Sequence, residues 1–131
     1  MKLTAKNIET LKAVYMFIYD EFAADTKDIR EKFGFTNAKA YDIGRQLEDM
    51  GLVCGEIMLG CGLMGGSINA KTHPGTPVMW QCWETDGSIE RDEAEQLFDS
   101  RVQIFIGLLK RVDAFGQHLK LNHVGEIIQP K

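Results

Sequence analysis

The chain has 131 residues, 44% hydrophobic and 26% charged, with 15 Lys and Arg against 19 Asp and Glu and a formal net charge of −4. That size suits one domain, or one domain with an added arm, and an acidic balance argues against broad, charge-driven affinity for nucleic acid. The N-terminus lacks the basic region, apolar run and cleavage site of a secretory signal, and residues 102–109, bracketed by Arg101, Lys110 and Arg111, are too short an apolar stretch to span a membrane.

Residues 4–22 predict a first helix. Ile8, Leu11, Val14 or Tyr15, and Ile18 recur at helical spacing, Phe22 follows one turn on, and Thr4 is a suitable N-cap. Met16, Phe17 and Tyr19 make its second half apolar on nearly all sides, so it is expected to be buried on more than one face or to enter a dimer interface.

A connector over residues 23–26 leads to a short helix over 27–33. Thr26 or Asp25 can cap it, and Asp28 then stands in the first turn, where the helix dipole favours an acid. Ile29 and Phe33, four residues apart, should face the first helix, with Lys27, Arg30 and Lys32 outside. Gly34 breaks this helix, and Thr36 can cap another over 37–50 that stops at Gly51, where Leu52 and Val53 open a strand. Its inward stripe is Ala40, Ile43 or Gly44, and Leu47, extended by Met50. A glycine costs roughly 1 kcal/mol relative to alanine in a helix interior, and a close helix–helix approach is the expected reason for Gly44. Asn37, Tyr41 and Arg45, spaced i, i+4, i+8, project outward from one stripe, on the face that also carries Ala38 and Asp42.

Residues 53–59 and 77–83 read as two strands, with Trp80, Cys82 and Glu84 alternating with Gln81 and Trp83. The section between them is rich in glycine, with turns expected at Gly65-Gly66 and His73-Pro74-Gly75 and with only Lys71, and His73 beside it, to supply positive charge. Cys54, Cys61 and Cys82 are odd in number and fit no disulfide framework, which points to reduced thiols and a cytoplasmic protein. With His73 they are zinc-ligand types, but no Cys-x-x-Cys pair occurs, and neither metal nor cofactor is expected. Ala70-Lys71-Thr72 comes near a phosphate-loop ending without completing it.

Asp86-Gly87 is a turn, and Ser88 caps a long helix over 89–115 whose first turns are acidic, with Lys110 and Arg111 near its end and Gly116 after it. Leu97, Phe98, Val102, Phe105, Leu109 and Val112 form one broad apolar stripe, widened by Ile104, Leu108 and Phe115. Such width suggests burial on two sides, for which a two-fold partner is the economical explanation. Residues 117–131 form a tail in which Leu119, Leu121 and Val124 fit a short strand and Ile127-Ile128 an apolar clip; His118 and His123 are surface or interface residues.

The spacing from Gly34 to Gly51, with Thr36 after the turn, Ala40 and Leu47 inside, and Leu52-Val53 following, resembles the winged helix-turn-helix superfamily of bacterial, archaeal and phage regulators. The resemblance covers residues 6–84. It implies a mainly α, α+β fold with a small β-hairpin wing, a winged helix-turn-helix over residues 1–87; beyond it the residues read as a long C-terminal helix over 88–116, used for dimerisation, and a tail over 117–131. It also implies that the helix over 37–50 enters the major groove of double-stranded DNA while the hairpin touches the flanking backbone. Asn37, Tyr41 and Arg45 would read bases, since Asn pairs with adenine and Arg with guanine, and Thr36, Lys39, Lys27 and Lys71 would contact phosphates. The expected function is a cytoplasmic, homodimeric transcriptional regulator. Asp42 departs from a basic reading face, as do Glu48 and Asp49. They would select against guanine, accept from cytosine, or present the face to a protein. The alternative is therefore a winged-helix interaction module, an adaptor or phage-type antagonist of a host protein with little DNA binding. No Ser-His-Asp or Cys-His set has local support, so an enzyme is not expected.

Overall fold

The computed structural model describes residues 3–57, 78–83, 89–108, 111 and 119–128. Its elements run α1 (Ala5–Glu21), β1 (Ala24–Asp25), α2 (Thr26–Phe33), α3 (Asn37–Asp49), β2 (Val53–Ile57), β3 (Val78–Cys82) and α4 (Arg91–Leu108). The described chain is thus mainly helical with one small antiparallel sheet of order β1-β3-β2. Lys71 and the glycine-rich section, Ser88, and the expected helix beyond residue 108 except Arg111 lie outside the described residues.

Local chemistry sets the helix starts. Thr4 Oγ1 accepts from Asn7 N at 3.2 Å and Thr36 Oγ1 from Lys39 N at 3.1 Å, each satisfying an amide that has no partner inside its helix. Asp25 and Asp28 form a reciprocal capping box at the start of α2. Asp25 also belongs to β1, which pairs with β3 at Ala24↔Trp80 and Asp25↔Met79. The connector expected between the first two helices is therefore also a strand. Gly34 ends α2 at φ 72, and both Gly34 N and Phe35 N donate to Arg30 O.

Trp80 on β3 is the centre of the fold. It is fully buried, and its Nε1 donates to Thr26 Oγ1 at 3.1 Å. The indole lies between two glycines. A Cβ added at Gly44 of α3 would stand 2.5 Å from Trp80 Cε2, and one added at Gly55 of β2 would stand 2.4 Å from Cζ3. The close approach expected at Gly44 is present, but the neighbour is a strand tryptophan rather than a second helix.

α1 buries Leu11, Val14, Tyr15, Met16 and Ile18, and Tyr15 stacks on Phe98 of α4 with ring centroids 5.8 Å apart. Polar contacts register the same pair of helices. Tyr19 donates to Ile89 O at 2.8 Å, Lys12 pairs with Asp99 at 3.2 Å, and Arg91 pairs with Asp20. Phe22 does not join the inner stripe. The helix stops at Glu21, Phe22 takes φ 67, and its side chain is 65% exposed.

The helix α4 is more one-sided than its composition suggests. Ala94, Phe98, Arg101, Val102, Phe105 and Leu108 are buried on a single face. Leu97 is half-buried, and Ile104 and Ile106 are exposed on the flanks of that face. The side opposite carries Gln96, Ser100, Gln103 and Gly107, a polar surface rather than a second apolar one.

The segment after α4 packs rather than trails. Leu119 and Leu121 join the core, Leu121 N donates to Asp49 O at 2.8 Å, and Leu121 pairs with Ile127 across a turn in which Gly125 has φ 85. Val124, expected in a strand, is instead at that turn and 58% exposed. Arg101 ties this hairpin to the end of α3. It is 5% exposed; Nη1 donates to Met50 O, Gly51 O and Asn122 O, and Nη2 to His123 O at 2.9 Å. The carbonyls at a helix C-terminus carry the negative end of its dipole, so a buried cation is well matched there.

Candidate nucleic-acid interface

The outer side of α3 and the turn before it form the candidate face. The α2–turn–α3 corner is built from aromatic contacts. Phe17 meets Phe33 edge-on at 5.7 Å, Phe33 stacks on Phe35 at 5.5 Å, and Lys39 Nζ lies 4.4 Å from the Phe35 ring centroid. The turn at Gly34 brings the two phenylalanines into that stack. Lys39 therefore has its ammonium over a ring in the first turn of α3, at the positive end of the helix dipole, which favours an anion.

Of the predicted site residues, Thr36, Asn37, Lys39, Tyr41 and Arg45 all belong to α3 or its cap. Thr36 and Lys39 are exposed and Asn37 is half-buried. Lys27 is exposed on the first turn of α2, on the neighbouring element. Lys71 lies outside the described residues.

Tyr41 and Arg45 act as one unit. The Tyr41 ring is half-buried, edge-on to Trp80 with centroids 6.0 Å apart. Its hydroxyl accepts from Arg45 Nε at 2.9 Å, and the guanidinium carbon lies 5.3 Å from the Tyr41 ring centroid. Arg45 Nη1 pairs with Glu48 Oε1. Glu48 Oε2 in turn accepts from the backbone N of Gly55 at 2.9 Å, so the carboxylate is anchored to β2. Partial burial pulls the Arg45 pKa down, but the bonds to Tyr41 and Glu48 outweigh it and the net direction is up. Arg45 is a fixed cation.

Three contributors to this face are not evident from the helical stripe. Phe35 carries Lys39, Trp80 supports Tyr41, and Glu48 holds Arg45. Glu48 alone has a sequence signal, its i, i+3 spacing from Arg45. Asp49 points elsewhere, to a 3.6 Å pair with Lys120, and burial raises its pKa.

Other features lie away from α3. A groove of about 590 Å³ opens beside α1, with Met16, Phe17 and Phe33 in its lining and Lys32, Asp20 and Arg91 among its charged residues. Cys54 and Cys82 sit on β2 and β3 as free thiols, and burial pushes Cys82 up to about 12. Cys61 and His73 lie outside the described residues. No described helix is long and apolar enough to cross a membrane.

No protein-family model matches this chain, and no curated protein or solved structure matches it either. The functional reading therefore rests on the residues themselves.

Proposed function

We propose that this chain is a winged helix-turn-helix protein that binds double-stranded DNA as a cytoplasmic, homodimeric transcriptional regulator, with α3 in the major groove. The observation that carries the reading is the outer face of α3. Arg45 there is partly exposed, fixed and cationic, with Asn37 two turns before it and Lys39 and the helix start between a tight glycine turn and solvent. An antiparallel hairpin, β2–β3, follows directly, as a wing does. Asn37 and Arg45 would read base edges, and Thr36, Lys39 and Lys27 would hold phosphates, with Lys71 of the glycine-rich section as a further phosphate contact. Tyr41 is assigned a supporting role beside base reading, because its hydroxyl already accepts from Arg45.

Selection of bound sequences from random duplex DNA tests this directly. The expected result is a pseudo-palindromic site whose binding weakens as salt rises. Recovery of no sequence, with no mobility shift even at low salt, overturns it. A second reading, a protein-interaction module, is favoured by the groove beside α1, whose apolar lining and mixed charges suit a protein segment. One stoichiometric protein partner without DNA binding would select that reading.

A further inference from the structure

The outer face of α3 contains a carboxylate that a phosphate-binding surface should avoid, yet Glu48 is one of its best-anchored side chains. One oxygen, Oε2, accepts from Gly55 N, and the other, Oε1, binds Arg45 Nη1. Tyr41 completes the set by accepting from Arg45 Nε, while its own ring rests against buried Trp80. An arginine has five N–H donors in a planar fork. Tyr41 takes the Nε donor and Glu48 takes one of the two on Nη1. The second Nη1 donor and both Nη2 donors take no part in these two bonds. Arginine pairs bidentately with O6 and N7 of guanine through two such donors.

We infer that Glu48 and Tyr41 are positioning residues that fix the guanidinium of Arg45 to read a guanine, so that the preferred DNA carries a G·C pair at one defined position in each half-site. This rests on the proposed DNA binding and goes beyond it by naming the base and the two residues that impose it. Free arginine side chains lose rotamer freedom on docking, and an arginine already held at both Nε and Nη1 has less to lose. The anchor to Gly55 also fixes α3 against β2, so the base reader and the hairpin keep one geometry.

The test compares wild type with Arg45→Ala, Glu48→Gln, Tyr41→Phe and the double variant Arg45→Ala/Glu48→Gln. Each is assayed by fluorescence anisotropy on the selected site, on sites with each guanine replaced, and on scrambled duplex. Glutamine has one acceptor oxygen and cannot serve both Gly55 and Arg45. Phenylalanine keeps the ring on Trp80 and removes only the hydroxyl, so it keeps the proposal falsifiable if the glutamine variant fails to fold. The expected result is a guanine preference that Arg45→Ala abolishes and that Glu48→Gln and Tyr41→Phe each reduce, roughly tenfold for Glu48→Gln. Glu48→Gln should leave affinity for scrambled duplex unchanged or higher, because a negative charge has left the surface. A residue that only stabilised the fold would weaken all duplexes alike. In the double variant, Glu48→Gln should have no further effect on base preference.

Other outcomes are decisive in the opposite direction. If wild type selects a site but no guanine depends on Arg45, this inference falls while the DNA reading stands. It falls in the same way if both single variants keep the full preference, or if Glu48→Gln still changes preference without Arg45. If wild type selects no site at all, the DNA reading falls and takes the inference with it.

Discussion

The outer face and the C-terminal end of α3 hold two arginines in opposite ways. On its outer face Arg45 is about half exposed, and among the described residues its partners are a phenol and a carboxylate, which engage Nε and Nη1. At its C-terminal end Arg101, which comes from α4, is 5% exposed and donates to four backbone carbonyls. Both are ordered, and neither lies loose on the surface. The difference is in what the surroundings leave over. Arg101 spends its donors on the chain's own backbone and closes a structure, whereas Arg45 is held by two side chains at Nε and Nη1, and its Nη2 makes no bond among the described residues. Exposure alone sets Arg101 apart from a solvated arginine but not Arg45, whose partners are what distinguish it.

Substitutions can break that contrast, and the largest effect is expected at the buried site. Arg101→Leu leaves the carbonyls of Met50, Gly51, Asn122 and His123 without their donor, and should cost on the order of 3–5 kcal/mol in denaturant unfolding. Gly44→Ala comes next. Its Cβ would lie 2.5 Å from the Trp80 ring, and overpacking of about 1–3 kcal/mol outweighs the helix-propensity gain of roughly 1 kcal/mol, so the thermal midpoint should fall. Arg45→Ala should be the mirror image. Stability is expected to stay within about 0.5 kcal/mol, while binding to the selected DNA weakens by roughly 1–3 kcal/mol at one base position. A stability loss at Arg45 equal to that at Arg101 would erase the distinction.

The smallest effect is a chemical one. Only the thiolate of a cysteine is alkylated, and burial of Cys82 pushes its pKa up to about 12, so between pH 7 and 9 this residue presents almost none while folded. Labelling at Cys82, mapped by mass spectrometry, should therefore report opening of the fold. It should be accelerated by Arg101→Leu and unchanged by Arg45→Ala. Fast labelling of wild type at neutral pH would contradict the burial. The dimer is a separate matter. Sedimentation at micromolar concentration should give twice the monomer mass, and substituting Ile104 and Ile106 by Ser should return it to monomer if the exposed flanks of α4 form the contact.

What the sequence discloses follows the range over which each residue acts. Thr4, Asp25, Thr36 and Gly34 announce their helix ends because capping is settled within three or four residues. The outward stripe of α3 is equally plain, since helical spacing fixes which side chains share a face. Longer-range partners are not legible. Gly44 signals a close neighbour, but nothing local says that the neighbour is Trp80, 36 residues on by numbering. Arg101 reads as one of the charges bracketing an apolar run, because a buried cation whose partners are backbone carbonyls has no complementary acid in sequence. Glu48 reads as a misplaced acid on a DNA face until its bond to Gly55 is seen. Phe22 reads as core because hydrophobic spacing does not know that the helix has already ended.

The cage around Arg101 also sets an order of events. Three stretches far apart in the chain meet there: residues 50–51, Arg101 itself, and residues 122–123. During synthesis α2 and α3 leave the ribosome early, yet the end of α3 cannot be locked until the hairpin over residues 119–128 has followed. Contacts of such long sequence separation form late and slow the folding of a small domain. A nascent chain halted before residue 119 should therefore expose an α3 whose start is capped and whose end is still loose, open to proteases at Met50 and Gly51 until residues 119–128 arrive.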